Sequence, residues 1–546
     1  MIRSSLAVAR GWIDSVFVDL ARQFRVSYLP PLMVYLAAGI SGLTSIVGTF
    51  FVKEHLNLSA AVLASLTFWI GVPWTLKMPL GHLVDLIWRW KAVLVYLGAA
   101  LIGLSLGIMY GLAAHGERMA AVMSLEAWYI LSTLLAPVGY VLQDTVADAM
   151  TVEAVPSSDD RGQKLAEGAT RAMHTTMQTL GRVAIISGYA VVAALNIGMF
   201  AGVADMTPAQ KTAIYARIYL LAMVIPVISV LGVILAAVLR RRRAARLRRQ
   251  GLAEDRIAAI LDARTEDTRP NWWILGGGGV FAAFVLAIGL AGVPLDQEII
   301  FLGSLAIVVF LMRQLILDLS PGLRGALVGT AIIIFMFRAT PLPGPGVEWW
   351  QIDVLGFDQQ FMSVLSFLTY GVALAGMVVL RPFLARRSIA DVVFVLAIAG
   401  AVLMLPLVGL FFGLHAWTAR LTGGVVDARF IAILNTALES PLVQISMIPM
   451  LAWIAKNAPA HLKATFFAVM ASFTNLALSA SSLLTKYLNE IFVVAREVRD
   501  RASGAVVTAA NYGELGWLLI VVAALTVLMP LATIAIVQLS RLRTTQ

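Results

Sequence analysis

The chain contains no cysteine among its 546 residues. Disulfides and thiolate metal sites are thereby excluded. Charge is scarce as well. Asp, Glu, Lys and Arg make up 13% of the residues, where soluble domains carry about 25%. The six histidines, His55, His82, His115, His174, His415 and His461, show no metal-ligand spacing. There is no G-x-S-x-G, no H-E-x-x-H and no phosphate-binding glycine loop. The run Gly276–Gly279 opens an apolar helix and follows no strand. The sequence therefore predicts neither an enzyme nor a bound cofactor.

What the chain has in excess is apolar surface. Hydrophobic residues make up 60% of it and the mean hydropathy is +0.86. That is more than an aqueous core can hide, so most of it is expected to face lipid. Apolar stretches near the ~20 residues needed to span a bilayer occur at 31–52, 61–82, 92–112, 124–148, 171–197 and 214–239. After a charged break at 240–271, two follow at 273–292 and 298–318. Six more lie at 324–341, 359–381, 389–412, 428–453, 463–488 and 515–538. This predicts an all-α membrane protein of about fourteen spans. The expected division is an amphipathic segment at 1–30, a six-helix bundle at 31–239 and a basic linker at 240–271. An inserted two-helix hairpin at 272–320 and a second six-helix bundle at 321–546 complete it.

The net charge of +10 looks like a nucleic-acid signal, but its distribution is that of a membrane protein. With the amino terminus inside, alternate loops collect Arg89, Arg324, Arg381, Arg386, Arg387, Lys456 and Lys463, and the carboxyl tail adds Arg541 and Arg543. The break after the sixth span begins with Arg240 to Arg243, Arg246, Arg248 and Arg249. Opposite loops are poor in Lys and Arg, except 489–514 with Arg496, Arg499 and Arg501. The positive-inside rule then puts both termini in the cytoplasm, in a bacterial inner membrane, with anionic lipid rather than nucleic acid as the partner of the basic run. Arg3, Arg10, Arg22 and Arg25, interrupted by Asp14 and Asp19, suggest an amphipathic helix on the inner face over 5–25. Trp272, Trp273, Trp349, Trp350 and Trp517 lie near span ends, as an interfacial belt requires. In the inserted pair, Arg313 and Asp318 are placed to pair with each other.

Ionisable residues inside spans cost about 2.5–3.5 kcal/mol each on insertion scales, so each needs a reason. In the first half they are Lys77, Asp144, Asp148 and Arg182, with Gln143 beside them; Asp144 and Asp148 share one helix face. In the second half they are Arg338, Glu439 and Lys486, with the polar Asn435, Gln444 and Asn475. Arg182 and Arg338 suit an anionic substrate, because a guanidinium stays charged and binds in a fork, with Gln143, Asn435, Gln444 and Asn475 as the polar groups expected to contact it. Glu439, in mid-helix, and Asp144 suit proton exchange. Other readings stand beside these. Lys77, Asp144 and Arg182 can form a structural ion-pair network, Asp148 and Lys486 can snorkel or cap, and Gln444 and Asn475 can be interhelical glue.

Between the second and third spans runs Gly81-x-x-x-Asp85-x-x-x-Arg89-x-Lys91. Gly81 is expected to admit a close helix contact, Asp85 to cap or pair, and Arg89 and Lys91 to anchor at headgroups. This pattern resembles the loop signature of the major facilitator superfamily. Gln143-Asp144-x-x-x-Asp148-x-x-x-x-Glu153, the segment from Trp74 and Lys77 to Asp85, and the string from Asp427 to Asn475 resemble the folate–biopterin transporters within it. Muropeptide permeases and acetyl-coenzyme A transporters carry similar patterns, and Gly181-Arg182 is closer to the muropeptide permeases. The resemblance implies two six-helix bundles rocking about a midplane cavity, with a pterin or folate, or else a muropeptide or another metabolite, as solute. It implies a monomeric, proton-coupled transporter with Lys77, Gly81, Asp85, Arg89 and Asp148 at the inner gate. A non-transporting membrane protein on the same fold is the remaining alternative. Where the folate–biopterin pattern has Asp, this chain has Asn435, and an acidic residue expected near His461 is missing.

Overall fold

The computed structural model describes residues 24–56, 58–75, 77–155, 167–261, 272–291, 293–316, 321–379, 388–445, 463–499, 506–540 and 542. Each of the fourteen expected spans has a helix among them. Span one is bent: α1 (Leu29–Ile40) passes through a 3-10 turn at Ser41–Thr44 into α2 (Ser45–His55). Pro30 and Pro31 suit the first turn of α1, where a missing N–H costs nothing. Span two is α3 (Ala60–Thr75) and α4 (Lys77–Leu86). Spans three to five are α5 (Ala92–Ala120), α6 (Leu125–Ala154) and α7 (Glu167–Met199). Ser124 caps α6 by accepting from the Ala127 N–H.

Span six is α8 (Pro208–Ala222) running into α9 (Val224–Arg249). A reciprocal capping box of Thr207 and Gln210 starts α8. The helix α9 continues through Arg240–Arg249, so the basic linker expected from residue 240 begins as ten residues of helix, followed by α10 (Glu254–Leu261). The inserted pair is α11 (Trp272–Ala291) and α12 (Asp296–Ile316). The second half comprises α13 (Pro321–Arg338), a short α14 (Gly346–Asp353), α15 (Gln359–Val379), α16 (Ile389–Phe411), a short α17 (Leu414–Leu421), α18 (Ala428–Ile445), α19 (Lys463–Ile491) and α20 (Leu515–Leu539). Between α19 and α20 two short strands, β1 (Val498–Arg499) and β2 (Val506–Thr508), pair antiparallel.

In the first half α5 packs on α6, and α1 packs on α6, α7 and α9. Glycine permits these approaches. A Cβ built on Gly98 would stand 2.6 Å from the Gly139 carbonyl oxygen, and one on Gly139 equally close to that of Gly98. Gly39 and Gly188 do the same between α1 and α7. Lower down the same α5–α6 seam, the Ser105 and Ser132 hydroxyls lie 2.9 Å apart. Gly81 does not play this part: nothing lies within 4 Å of where its Cβ would be. In the second half α15 packs on α18, and α16 and α13 pack on α20. The halves meet along two seams, α3 against α19 and α7 against α15. The hairpin α11–α12 leans on the first of these, touching α4 and α19.

One end of the molecule carries Arg89, Lys91 and Arg240–Arg249 and is called the basic end here; the other is the far end. Two expectations change at these ends. Lys91 does not reach for headgroups. It is buried, lies over the Trp88 ring and pairs with Glu153 at 2.9 Å, which Arg240 also approaches. Trp349 and Trp350 are not belt residues either; both are buried, at 1% and 3% exposure, in the far-end cap. Trp272 and Trp517 are exposed as a belt requires. The Trp273 side chain, Asp318 and the segment 1–23 lie outside the described residues, and so do the belt role of Trp273, the Arg313–Asp318 pair and the amphipathic amino-terminal helix.

Candidate solute site

The densest charge inside the first half is built by three helices. Lys77 lies on α4 of span two. Its Nζ lies 2.6 Å from Asp144 Oδ2 and 2.8 Å from Asp148 Oδ2. The two carboxylates are one helical turn apart on α6, so one ammonium reaches both. From α1 the Tyr35 hydroxyl donates to Asp148 Oδ1 at 2.6 Å. The cluster ties spans one, two and four at a single point. Tyr35 fits because Gly181 is opposite it: a Cβ there would stand 2.9 Å from the ring.

Next to Gly181 on α7 is Arg182. It is exposed and lies within electrostatic reach of Tyr35 and Asp144, but forms no ion pair with a described residue. Across the seam, at the end of α13, is Arg338. Its Nε is buried without a hydrogen-bond partner among the described residues. The exit of α13 is pinned by α19, where the Ser481 hydroxyl donates to Thr340 O at 2.6 Å. Two turns along α7 from Arg182, Tyr189 stacks on Tyr370 of α15 with ring centroids 4.7 Å apart. Each half thus contributes one cation and one ring of the stacked pair.

Several of the expected site residues lie elsewhere. Gln143 does not line this region. It is buried; its Nε2 donates to Val95 O (3.3 Å) and its Oε1 accepts from the Ser229 hydroxyl (2.9 Å). It joins α6 to α5 and α9, which is a packing role. The Asn475 Nδ2 donates to Trp74 O at 3.3 Å, joining α19 to α3. Asn435 is half-buried on α18 and Arg89 is exposed. The side chains of Asp85, Glu439 and Gln444 are outside the described residues. Lys486 neither snorkels nor caps; it pairs with Glu298 of α12 at 3.3 Å.

The far end holds a second polar network, which the sequence did not suggest. Lys53 of α2 pairs with Asp353 of α14 at 2.5 Å. The Tyr512 hydroxyl also donates to Asp353. Thr49 donates to Glu348 at 3.2 Å. Gln359 of α15 donates to the Tyr215 hydroxyl at 2.8 Å, and Tyr215 to Glu54 at 3.0 Å. Arg496 donates from Nη1 to Lys53 O and lies over the Trp349 ring. Burial holds the guanidinium of Arg496 below its ordinary pKa, opposed by Tyr512 and Asp353. This explains why an arginine sits in the one loop that breaks the charge pattern. Every one of these contacts except those of Tyr512–Asp353, Tyr215–Glu54 and Arg496–Trp349 crosses between halves, so the far end is closed.

A sequence model of the BT1 family matches residues 38–544. The chain belongs to the BT1 family. No curated protein matches it. Among solved structures, a POT family transporter in complex with a thioalcohol-conjugated peptide superposes with a TM-score of 0.60 at 11% identity, over 93% of this chain and 95% of that one. A peptide transporter POT in complex with sulfate gives 0.56 at 14% identity, over 95% and 96%. Nucleoside transporter NupG gives 0.51 at 11% identity, over 95% and 100%. At these identities the likeness is one of fold. This BT1-family chain has the major facilitator-type architecture: two six-helix bundles, with two helices inserted between them, in an integral multi-pass membrane protein.

Proposed function

We propose that the protein is a secondary active transporter that moves a small anionic organic solute by alternating access. The observation that carries this reading is the pair Arg182 and Arg338. The two guanidinium groups come from different halves and have no carboxylate partner among the described residues. Keeping such charges in a membrane protein is costly unless an anion joins them. A solute held by both halves also couples its own binding to their closure. Coupling to protons is assigned to Glu439, with Asp144 in the Lys77 cluster as the second candidate. Lys77 and Asp148 serve the inner gate, with Asp85 and Arg89 beside them. The moving halves are 31–239 and 321–546. The basic end faces the cytoplasm of a bacterial inner membrane, and the protein works as a monomer among anionic lipids.

By resemblance the solute is a pterin or folate. Gly181-Arg182 favours a muropeptide as the second reading. The test is uptake of labelled compounds into proteoliposomes under an imposed proton gradient. A gradient-driven signal with a pterin or folate, lost in Glu439→Gln, supports the whole reading. Uptake that survives Glu439→Gln overturns the coupling role, and uptake of a muropeptide alone overturns the first solute.

A further inference from the structure

The inserted hairpin touches both halves at once, and it does so through two consecutive residues. At the start of α12, the Gln297 side chain donates to the Ser65 hydroxyl of α3. The next residue, Glu298, accepts from Lys486 Nζ at 3.3 Å and from the Tyr487 hydroxyl, both on α19. Helices α3 and α19 are the two walls of a seam between halves. Beneath these bonds lies one apolar cluster: Phe68 and Val72 from α3, Phe281 and Val285 from α11, Ile300 from α12 and Leu483 from α19. Along α11 the fit to span two is close, since a Cβ on Gly278 would strike the Pro79 ring and one on Gly289 would stand 2.8 Å from the Trp69 ring.

From this we infer that the hairpin is a brace across the seam, and that Glu298 with Lys486 and Tyr487 is the latch that favours the far-end-closed state. The inference rests on the alternating-access reading above. When the far end opens, the far ends of α3 and α19 separate, and the bonds made by Gln297 and Glu298 cannot both persist. The extended apolar fit keeps the hairpin on span two. The contact to α19 is then the one that yields. It is charge-assisted and half-buried, so it contributes more than an exposed pair. It is also incompletely satisfied: Gln297 Oε1 and Glu298 Oε2 are buried without partners among the described residues. A buried acceptor left unpaired costs free energy, so this arrangement holds the closed state without locking it.

The chain has no native cysteine, so spin labels can be placed without removing any. Ala209→Cys and Ala416→Cys put exposed labels at the far ends of the two halves. Distances between them are measured by pulsed electron resonance in nanodiscs, with and without a proton gradient. The expected result is a second, longer distance in Glu298→Gln/Lys486→Met and in Tyr487→Phe, with the open-to-closed ratio raised about tenfold in the double variant. Tyr487→Phe keeps both charges and guards against a folding artefact. An unchanged ratio in both variants, where the parent chain does shift under the gradient, overturns the brace. A parent chain that shows one distance in every condition overturns the alternating-access reading instead.

Discussion

Arg182 on α7 and Arg338 on α13 come from opposite halves, and neither has a carboxylate partner among the described residues. Nearby, Lys77 is spoken for by two carboxylates. The surplus positive charge therefore sits on the arginines, one in each half. If an anion bridges them, each guanidinium contributes a charge-assisted bond. Arg182→Gln and Arg338→Gln are each expected to raise the solute KM about 10- to 100-fold, the equivalent of ~1.5–3 kcal/mol. Arg182→Lys should restore little where the contact is bidentate. Concentration-dependent uptake in proteoliposomes measures this, and an unchanged KM in both Gln variants would exclude a bridging anion.

The Lys77 cluster makes a stability prediction independent of any solute. Removing the ammonium leaves Asp144 and Asp148 on one helix face, with the Tyr35 hydroxyl on Asp148 and Arg182 within electrostatic reach of Asp144 as what remains to answer them. Breaking one partner of a largely buried pair typically costs about 3–5 kcal/mol. Lys77→Met should therefore lower the unfolding midpoint sharply, and Lys77→Met/Asp144→Asn should recover part of the loss, because the double variant removes one uncompensated charge. Thermal unfolding followed by tryptophan fluorescence in detergent reports both. A double variant no more stable than Lys77→Met would show that the charges are not coupled.

How much of this was legible in the chain depends on how local the signal is. Span positions were, because a run of apolar residues is set by the thickness of lipid and needs no partner. The Lys77–Asp144 pair was also legible, and helical spacing puts Asp148 on the same face. But the sequence reads Arg182 as the third member and Asp148 as a snorkelling or capping residue, whereas Lys77 bonds both carboxylates and Arg182 pairs with no described residue. Gln143 sits next to Asp144 but points the other way, and a one-residue step on a helix turns about 100°. Trp349 and Trp350 read as belt residues by position, yet they are buried beneath a loop arginine that adjoins them only in the folded chain. The same holds for Lys53 with Asp353 and Glu298 with Lys486, whose partners lie 300 and 188 positions apart. Sequence spacing carries no information about such pairs.

Gly81 and Gly98 separate the two roles of glycine in a helix. Gly81 belongs to the loop pattern that carries the superfamily resemblance, but its Cβ position is open, whereas Gly98 lies against the backbone of α6. Gly81→Ala is expected to be neutral or stabilising by up to about 1 kcal/mol, as in any helix interior. Gly98→Ala should destabilise, because the added methyl would sit 2.6 Å from the Gly139 carbonyl and the helices must part. Unfolding midpoints of the two variants, measured side by side, should move in opposite directions or differ by several degrees. Equal shifts would contradict the α5–α6 approach.

Thr49 on α2 and Glu348 on α14 close the far end between halves, with the Thr49 hydroxyl 3.2 Å from the carboxylate. Thr49→Cys/Glu348→Cys places one thiol on each side of this contact, in a chain with no other cysteine. Cysteine is shorter than glutamate, so a short bis-methanethiosulfonate reagent rather than direct oxidation should bridge the thiols and fix the closed far end. A transporter that must open that end in every cycle then stops, so uptake should fall to background after crosslinking and return on reduction. The reduced double variant should retain uptake, since it loses one exposed hydrogen bond of modest worth. Lys53 and Asp353 stay paired beside it and keep the end registered. Crosslinking with full activity would mean that this end does not open during transport, and the far-end network would then be a fixed part of the fold rather than a gate.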